Sequence, residues 1–314
     1  MSRNIYSAVA FMVATLAQVS LAAWDGSAKV PKVVKDGGSD YYEITSPEEL
    51  IGFLDSVLVG KTGDESLKAY LKNDIVFGAD TSKLCEKRWV RNSEQSMFTG
   101  EVDGRGHSIY GLNAEKAMFR EVGMSAGSVH DFSVVHGNFG SDTAFQSAAI
   151  VELLDADIWN VNVVETDVRA VYAAAGIAAN VNSPYGSDGK YSLILNSNVI
   201  GGSVGASFYV GGIAGYSAGQ IRGCTNSARI FAFENPTDKT SAYIGGIVAY
   251  STVNAGVGVG NCINRGSIEI ESSAHWSYVG GIAGEVDGNI ENLQNYGNVS
   301  SKALLLRSRL IRIG

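Results

Sequence analysis

Asp155 and Asp157, two carboxylates two residues apart, are the side chains whose type and spacing come nearest to a catalytic pair. On an extended strand both point to one side, and Asp131 lies one repeat earlier. Carboxylates gathered in this way could act as acid and base on a glycosidic bond, or hold Ca²⁺. The competing reading is plain: short Asp residues mark turns and solvated faces, and no Lys or Arg cluster suited to a uronic acid accompanies them. Aromatic residues offer a second chemistry. Tyr216 and Tyr250 occupy equal positions in two repeats with Trp276 nearby, and an outward aromatic strip could stack on sugar rings. Exposed tyrosine is also a favoured strand residue that stabilises its neighbour. Of the four histidines, His107, His130, His136 and His275, none sits in the His-Glu-x-x-His context of a zinc peptidase. His107, in a Gly-rich turn, reads as a polar filler. No cofactor is expected, and Ca²⁺ has only the carboxylates to recommend it.

These residues are positioned by a repeat. Tyr209-Val-Gly-Gly-Ile-Ala-Gly215 returns as Tyr243-Ile-Gly-Gly-Ile-Val-Ala249 and as Tyr278-Val-Gly-Gly-Ile-Ala-Gly284. A second track follows each copy with constant internal offsets: Ile221, Cys224, Asn226, Ile230; then Val259, Cys262, Asn264, Ile268; then Ile290, Leu293, Asn295, Val299. Self-similarity at such a period marks units that bury their apolar sides by stacking. The repeats are rich in Val, Ile, Tyr and Gly and alternate at period two, which suits strands and not helices. The expected fold is all-β, a right-handed parallel β-helix with Ile213, Ile247 and Ile282 inward and Tyr216 and Tyr250 outward. Earlier apolar anchors fall at Phe119, Ile150 and Ile177. Asn226, Asn264 and Asn295 should stack as an amide ladder, and Cys224 and Cys262 should behave as small apolar free thiols.

The chain divides into 1–22, 23–96, 97–301 and 302–314. The first part reads as a secretory signal, with Arg3 ahead of an uncharged apolar run from Ala8 to Leu21. The second is an arm and cap. Ser46-Pro47-Glu48-Glu49 forms a capping box, and Leu50, Phe53, Leu54, Val57 and Leu58 make one apolar stripe, so a helix over 47–58 should cover the end of the stack. Residues 70–77 read as a strand and 78–96 as a polar loop holding Cys85. Segments 182–190, 234–242 and 252–258 read as loops. The tail has four basic residues, no acid and no repeat phase, as a cap strand or an interrupted frame would.

With 38 Gly but 4 Pro and 45% apolar residues, collagen and disorder are both excluded. The net charge of −8 disfavours nucleic acid and anionic membranes, and after loss of Arg3 it becomes 23 basic against 32 acidic residues. No span is expected to remain in a membrane once the signal is removed.

The anchor copies, their Cys/Leu-x-Asn track and the stretch Phe98 to Leu112 resemble the GLUG-motif repeats of exported bacterial surface proteins with pectin-lyase-like β-helices. The similarity covers about 98–301. It implies an extracellular β-helical scaffold often linked with adhesion; the expectation for this chain is a non-catalytic monomer with polysaccharide or a host cell-surface ligand as partner. Such repeats also accompany larger enzymes, among them an immunoglobulin-cleaving metallopeptidase. The motif carries no catalytic residue. Two further functions stay open: a carbohydrate lyase or hydrolase using Asp155, Asp157 and Asp131, and a fragment of a larger surface protein.

Overall fold

Short runs of Val, Ile, Ala and Tyr interrupted by glycine cannot sustain helices, and the chain folds almost wholly as strands of two to thirteen residues. The structure, a computed structural model, describes residues 22–123, 127–182, 191–234, 242–270, 277–301 and 308–310. The signal-like run up to Leu21, and Trp276, therefore lie outside the described residues, as do most of 182–190 and 234–242. The strands form three sheets of 20, seven and six strands. Among the described residues one hairpin, Lys32–Asp36 with Ser39–Ile44, is antiparallel, and the other strand pairings are parallel. No described helix is long and apolar enough to cross a membrane.

Each repeat copy pairs in register with the next. Tyr209, Tyr243 and Tyr278 are partners, as are Tyr216, Tyr250 and Glu285, and Asn226, Asn264 and Asn295. Ile213, Ile247 and Ile282 are buried, at 0%, 0% and 5% exposure. Burial of each contributes about 1.5–3 kcal/mol over an exposed position. The paired glycines answer to close approach. A Cβ on Gly246 would lie 2.2 Å from the Gly281 carbonyl oxygen and 2.3 Å from Asn264 Cγ. Gly212 and Gly281 meet Asn226 and Asn295 in the same way, so the two sequence tracks are two sides of one contact.

The amide ladder is continuous. Asn226 Nδ2 donates to Asn264 Oδ1 at 2.9 Å, and Asn264 Nδ2 donates to Asn295 Oδ1 at 2.8 Å. Each amide also closes a turn on its own chain, Asn264 through the Gly266 N–H and C=O, both at 3.1 Å. A second ladder lies where Asp131, Asn160, Asn196, Gly223, Asn261 and Asn292 all adopt left-handed backbone, with φ between 48° and 63°. Asn, Asp and Gly are the residues that enter this region at least cost.

Several expectations need correction. The first anchor is displaced by one residue: Phe119 pairs with Val151, which sets Met118 level with Ile150. Both are buried, so apolarity alone could not choose between them. The strand expected over 70–77 is broken into Lys68–Leu71 and Ile75–Val76 by a bend. The helix is α over Pro47–Gly52 only and continues as a π-helical turn, Phe53–Val57. Its stripe is nonetheless buried, with Phe53 edge-on to Phe98 at 6.2 Å. Half of the capping box forms: the Ser46 hydroxyl accepts from Glu49 N–H at 3.3 Å, but the Glu49 carboxylate takes Thr45 N–H and Lys29 Nζ.

The polar stretch 78–96 is an irregular and mostly exposed loop as expected, but a few buried side chains tie it down. Trp89 Nε1 donates to Asp55 at 2.8 Å, Arg91 pairs with Glu152 at 3.0 Å, and the Gln95 amide bridges the Leu54 and Met118 carbonyls. Cys85 is 2% exposed, and burial pushes its thiol above the usual range. Residues 252–258 belong to the strand Val248–Gly260, which pairs with Ala283–Glu291 through register shifts. In the tail, Ser308–Leu310 pairs in parallel with Ser277–Gly280, so backbone phase persists there although the side-chain pattern does not.

Candidate functional site

Parity explains how the aromatic residues gather. Along Tyr209–Gly211 the tyrosine is half-buried while Val210 is buried, so the tyrosine faces outward. The chain then bends at Gly212–Ile213 into the strand Ala214–Ser217, where Tyr216 again faces outward. Register repeats both positions in the next copies. The result is a ridge of eight rings, Phe145, Tyr172, Phe208, Tyr209, Tyr216, Tyr243, Tyr250 and Tyr278. It spans five successive strands of the six-stranded sheet.

Most of these rings lie face to face along the stacking direction. Tyr243 and Tyr278 are 4.8 Å apart at 5°, Phe145 and Tyr172 4.7 Å at 7°, and Tyr172 and Phe208 4.7 Å at 10°. Faces within the stack are thus occupied by neighbours, and the ridge presents ring edges and phenol groups to solvent. Phe145 heads its stack and is 65% exposed. Tyr216 and Tyr250 sit 5.8 Å apart and tilted by 41°, with the Tyr216 hydroxyl 2.9 Å from Thr252 Oγ1. Burial, then neighbouring phenols, push Tyr209 above the ordinary range. Burial and the Glu285 carboxylate do the same to Tyr243 and Tyr250. All three therefore remain hydroxyl donors at neutral pH. Tyr216 and Tyr250 were legible from the sequence. The rest were missed because parity counted from Tyr216 does not carry across the bend, although a tyrosine heads each copy and was the available signal.

The candidate carboxylates do not converge. Asp157 is opposite Ser128, whereas Asp131 lies three residues further on beside Asn160. Asp155 is 7% exposed in the turn before that strand, and burial raises its carboxyl. Asp131 occupies the left-handed ladder at φ 59°. Burial pushes its carboxyl up, but hydrogen bonds from Asn160 and His130 outweigh this and hold it below the ordinary range. Among the other singled-out residues, His107 Nδ1 lies 3.3 Å from Asp74 at the surface. Cys224 and Cys262 are free and buried in successive copies, each Sγ 3.2 Å from a carbonyl two residues earlier. Burial pushes the Cys224 thiol well up.

No family model matches the chain, and no curated protein does. Among solved structures, a crystal structure described as a "putative immunoglobulin A1 protease" from Bacteroides ovatus is similar, with a TM-score of 0.52 and 21% identity. The likeness covers 83% of this chain and 68% of that one. At this identity it shows a shared β-rich fold and nothing of activity.

Proposed function

We propose that the chain is a right-handed parallel β-helix of the GLUG-motif kind, exported to the cell surface, whose aromatic ridge binds a hydroxyl-rich polymer without cleaving it. In this reading the three sheets are the walls of one solenoid, and the helix at Pro47–Gly52 with its π-helical turn covers the first wall edges. The in-register repeat copies and the likeness in fold to the Bacteroides ovatus protein support the scaffold. The signal-like first 22 residues support export.

The observation that carries the binding role is the eight-ring ridge. Phenols stand on two neighbouring outer lines, Tyr209, Tyr243 and Tyr278 on one and Tyr216 and Tyr250 on the other, and the stack of Phe145, Tyr172 and Phe208 continues the aromatic surface over the earlier copies. Ring edges and hydroxyls aligned along the stacking direction suit a chain of sugar hydroxyls and C–H groups lying lengthwise, with the open Phe145 face as an end platform. The ligand would be a neutral plant or host polysaccharide, in keeping with the acidic net charge of −8.

The experiment is a binding array of plant polysaccharides and host glycans with the mature chain and a Tyr216→Ala/Tyr250→Ala variant. Selective binding that the variant loses, with no rise in reducing ends, is the expected outcome. Binding equal in both forms would rule the ridge out as the ligand face. Depolymerisation abolished by Asp155→Ala would replace the scaffold with an enzyme.

A further inference from the structure

In this ladder of left-handed turns Asn or Gly suffices: Asn160, Asn196, Gly223, Asn261 and Asn292 fill it without a charge. Asp131 is the ladder's one carboxylate, and the turn does not ask for it. It stands instead beside an imidazole and a second carboxylate. His130 Nδ1 lies 2.8 Å from Asp131 Oδ2 and 3.9 Å from Asp103 Oδ1, and ligand atoms of the three residues all fall within 4.8 Å of one another.

The ring that presents this nitrogen is held from several sides. His130 is 7% exposed and stacked on Trp159 at 4.1 Å and 9°. Its other nitrogen, Nε2, is buried without a hydrogen bond, with Glu101 Oε1 3.5 Å away. Glu101 on the far side of the ring would accept the imidazole proton at Nε2 once a cation took Nδ1, the arrangement that supports metal-bound histidines. Beside the group opens a polar cleft of about 300 Å³ lined by Asp103, Arg105, Asp131, Asn160 and Asn162 among others. The charges are unbalanced as well. Among the described residues, Asp36, Glu101, Asp103 and Asp131 face only Lys68 and Arg105 as permanent cations.

We propose that Asp103, His130 and Asp131 form a binding site for a divalent transition-metal cation such as Zn²⁺. One nitrogen with two carboxylate oxygens suits Zn²⁺, Mn²⁺ or Co²⁺, whereas Ca²⁺ takes oxygen ligands alone. Donors about 2.1 Å from one ion in tetrahedral array are about 3.4 Å apart. The 2.8 Å contact would open and the 3.9 Å contact would close by about half an ångström each, within reach of carboxylate rotation. The cation would displace whatever proton lies between His130 and Asp131, and its remaining positions would face the cleft. The site is separate from the aromatic ridge and stands or falls without it.

The test is calorimetric titration of the untagged, chelator-treated chain with Zn²⁺, and separately with Ca²⁺. Asp131→Asn keeps a residue that the left-handed turn accepts, and Asp103→Asn leaves the strand pairing intact. The expected result is one Zn²⁺ per chain, an affinity weakened by more than about tenfold in each variant, and much weaker Ca²⁺ binding. Circular dichroism should show both variants folded. Zn²⁺ binding that is absent, or that neither substitution weakens, would overturn the proposal, as would Ca²⁺ binding of equal strength.

Discussion

Asn264 is the side chain whose removal should reveal most about how the copies are held together. It is fully buried and makes four hydrogen bonds: from Asn226 Nδ2, to Asn295 Oδ1, from Gly266 N–H and to Gly266 C=O. Asn264→Ala orphans both Gly266 groups in a buried turn, while Asn226 keeps its bond to Ala228 C=O at 3.3 Å. At about 1–3 kcal/mol for each unsatisfied buried group, the loss should be about 2–6 kcal/mol. Asn295→Ala is the internal control. Its residue makes the same turn with Gly297, yet is exposed, so water can replace the lost amide. Its cost should be under about 1 kcal/mol. Urea unfolding followed by circular dichroism, read as midpoint shifts at unchanged slope, gives both values. A cost for Asn264→Ala no greater than that for Asn295→Ala would refute the idea that buried amides pin the corner.

Other consequences are as open to measurement. Gly246→Ala places a Cβ against the Gly281 oxygen and Asn264 Cγ, and should cost several kcal/mol or prevent folding, whereas Gly37→Ala, with no atom within 4 Å but φ 55°, should cost about 1 kcal/mol. The Glu43 carboxyl is held down to about 2 by Lys32, with help from the Tyr70 hydroxyl and Lys72. Its contribution should be complete above the ordinary value of 4.5 and vanish as pH falls towards about 2, and Glu43→Gln should flatten stability in that window. A thiol reagent should find Cys85, Cys224 and Cys262 unreactive in the folded chain and label all three after unfolding in denaturant without reductant. Labelling that needs reductant would indicate a bridge between Cys224 and Cys262.

What was legible in the sequence follows from what repeats. Where three copies recur at equal offsets, as from Tyr209 to Val299, the order of residues alone reveals partners, buried positions and the amide ladder. Where copies degenerate, it does not. Met118 and Phe119 are both apolar and buried, so register depended on the strand pairing with Val151, which no local property encodes. The stretch 78–96 was legible as a polar loop, but its buried anchors Trp89, Arg91 and Gln95 were not. Its partners, Asp55 and Glu152, lie far away in sequence. The site fared similarly. Tyr216 and Tyr250 were visible as an outward pair, but the ridge around them needs the bend at Gly212–Ile213. Asp131 stood out as a carboxylate, yet its neighbours proved to be His130 and Asp103, not Asp155 and Asp157.

The most direct test of the ridge is tyrosine footprinting by ring nitration, with and without an oligosaccharide drawn from whichever polymer the array selects. Tyr216, Tyr243, Tyr250 and Tyr278 should be modified more slowly in the complex. Tyr41, which sits beside Tyr70 at the other end of the chain, and the exposed Tyr296 should be unchanged. Protection elsewhere, with the ridge tyrosines modified at equal rates in both states, would contradict the proposal that this face carries the ligand.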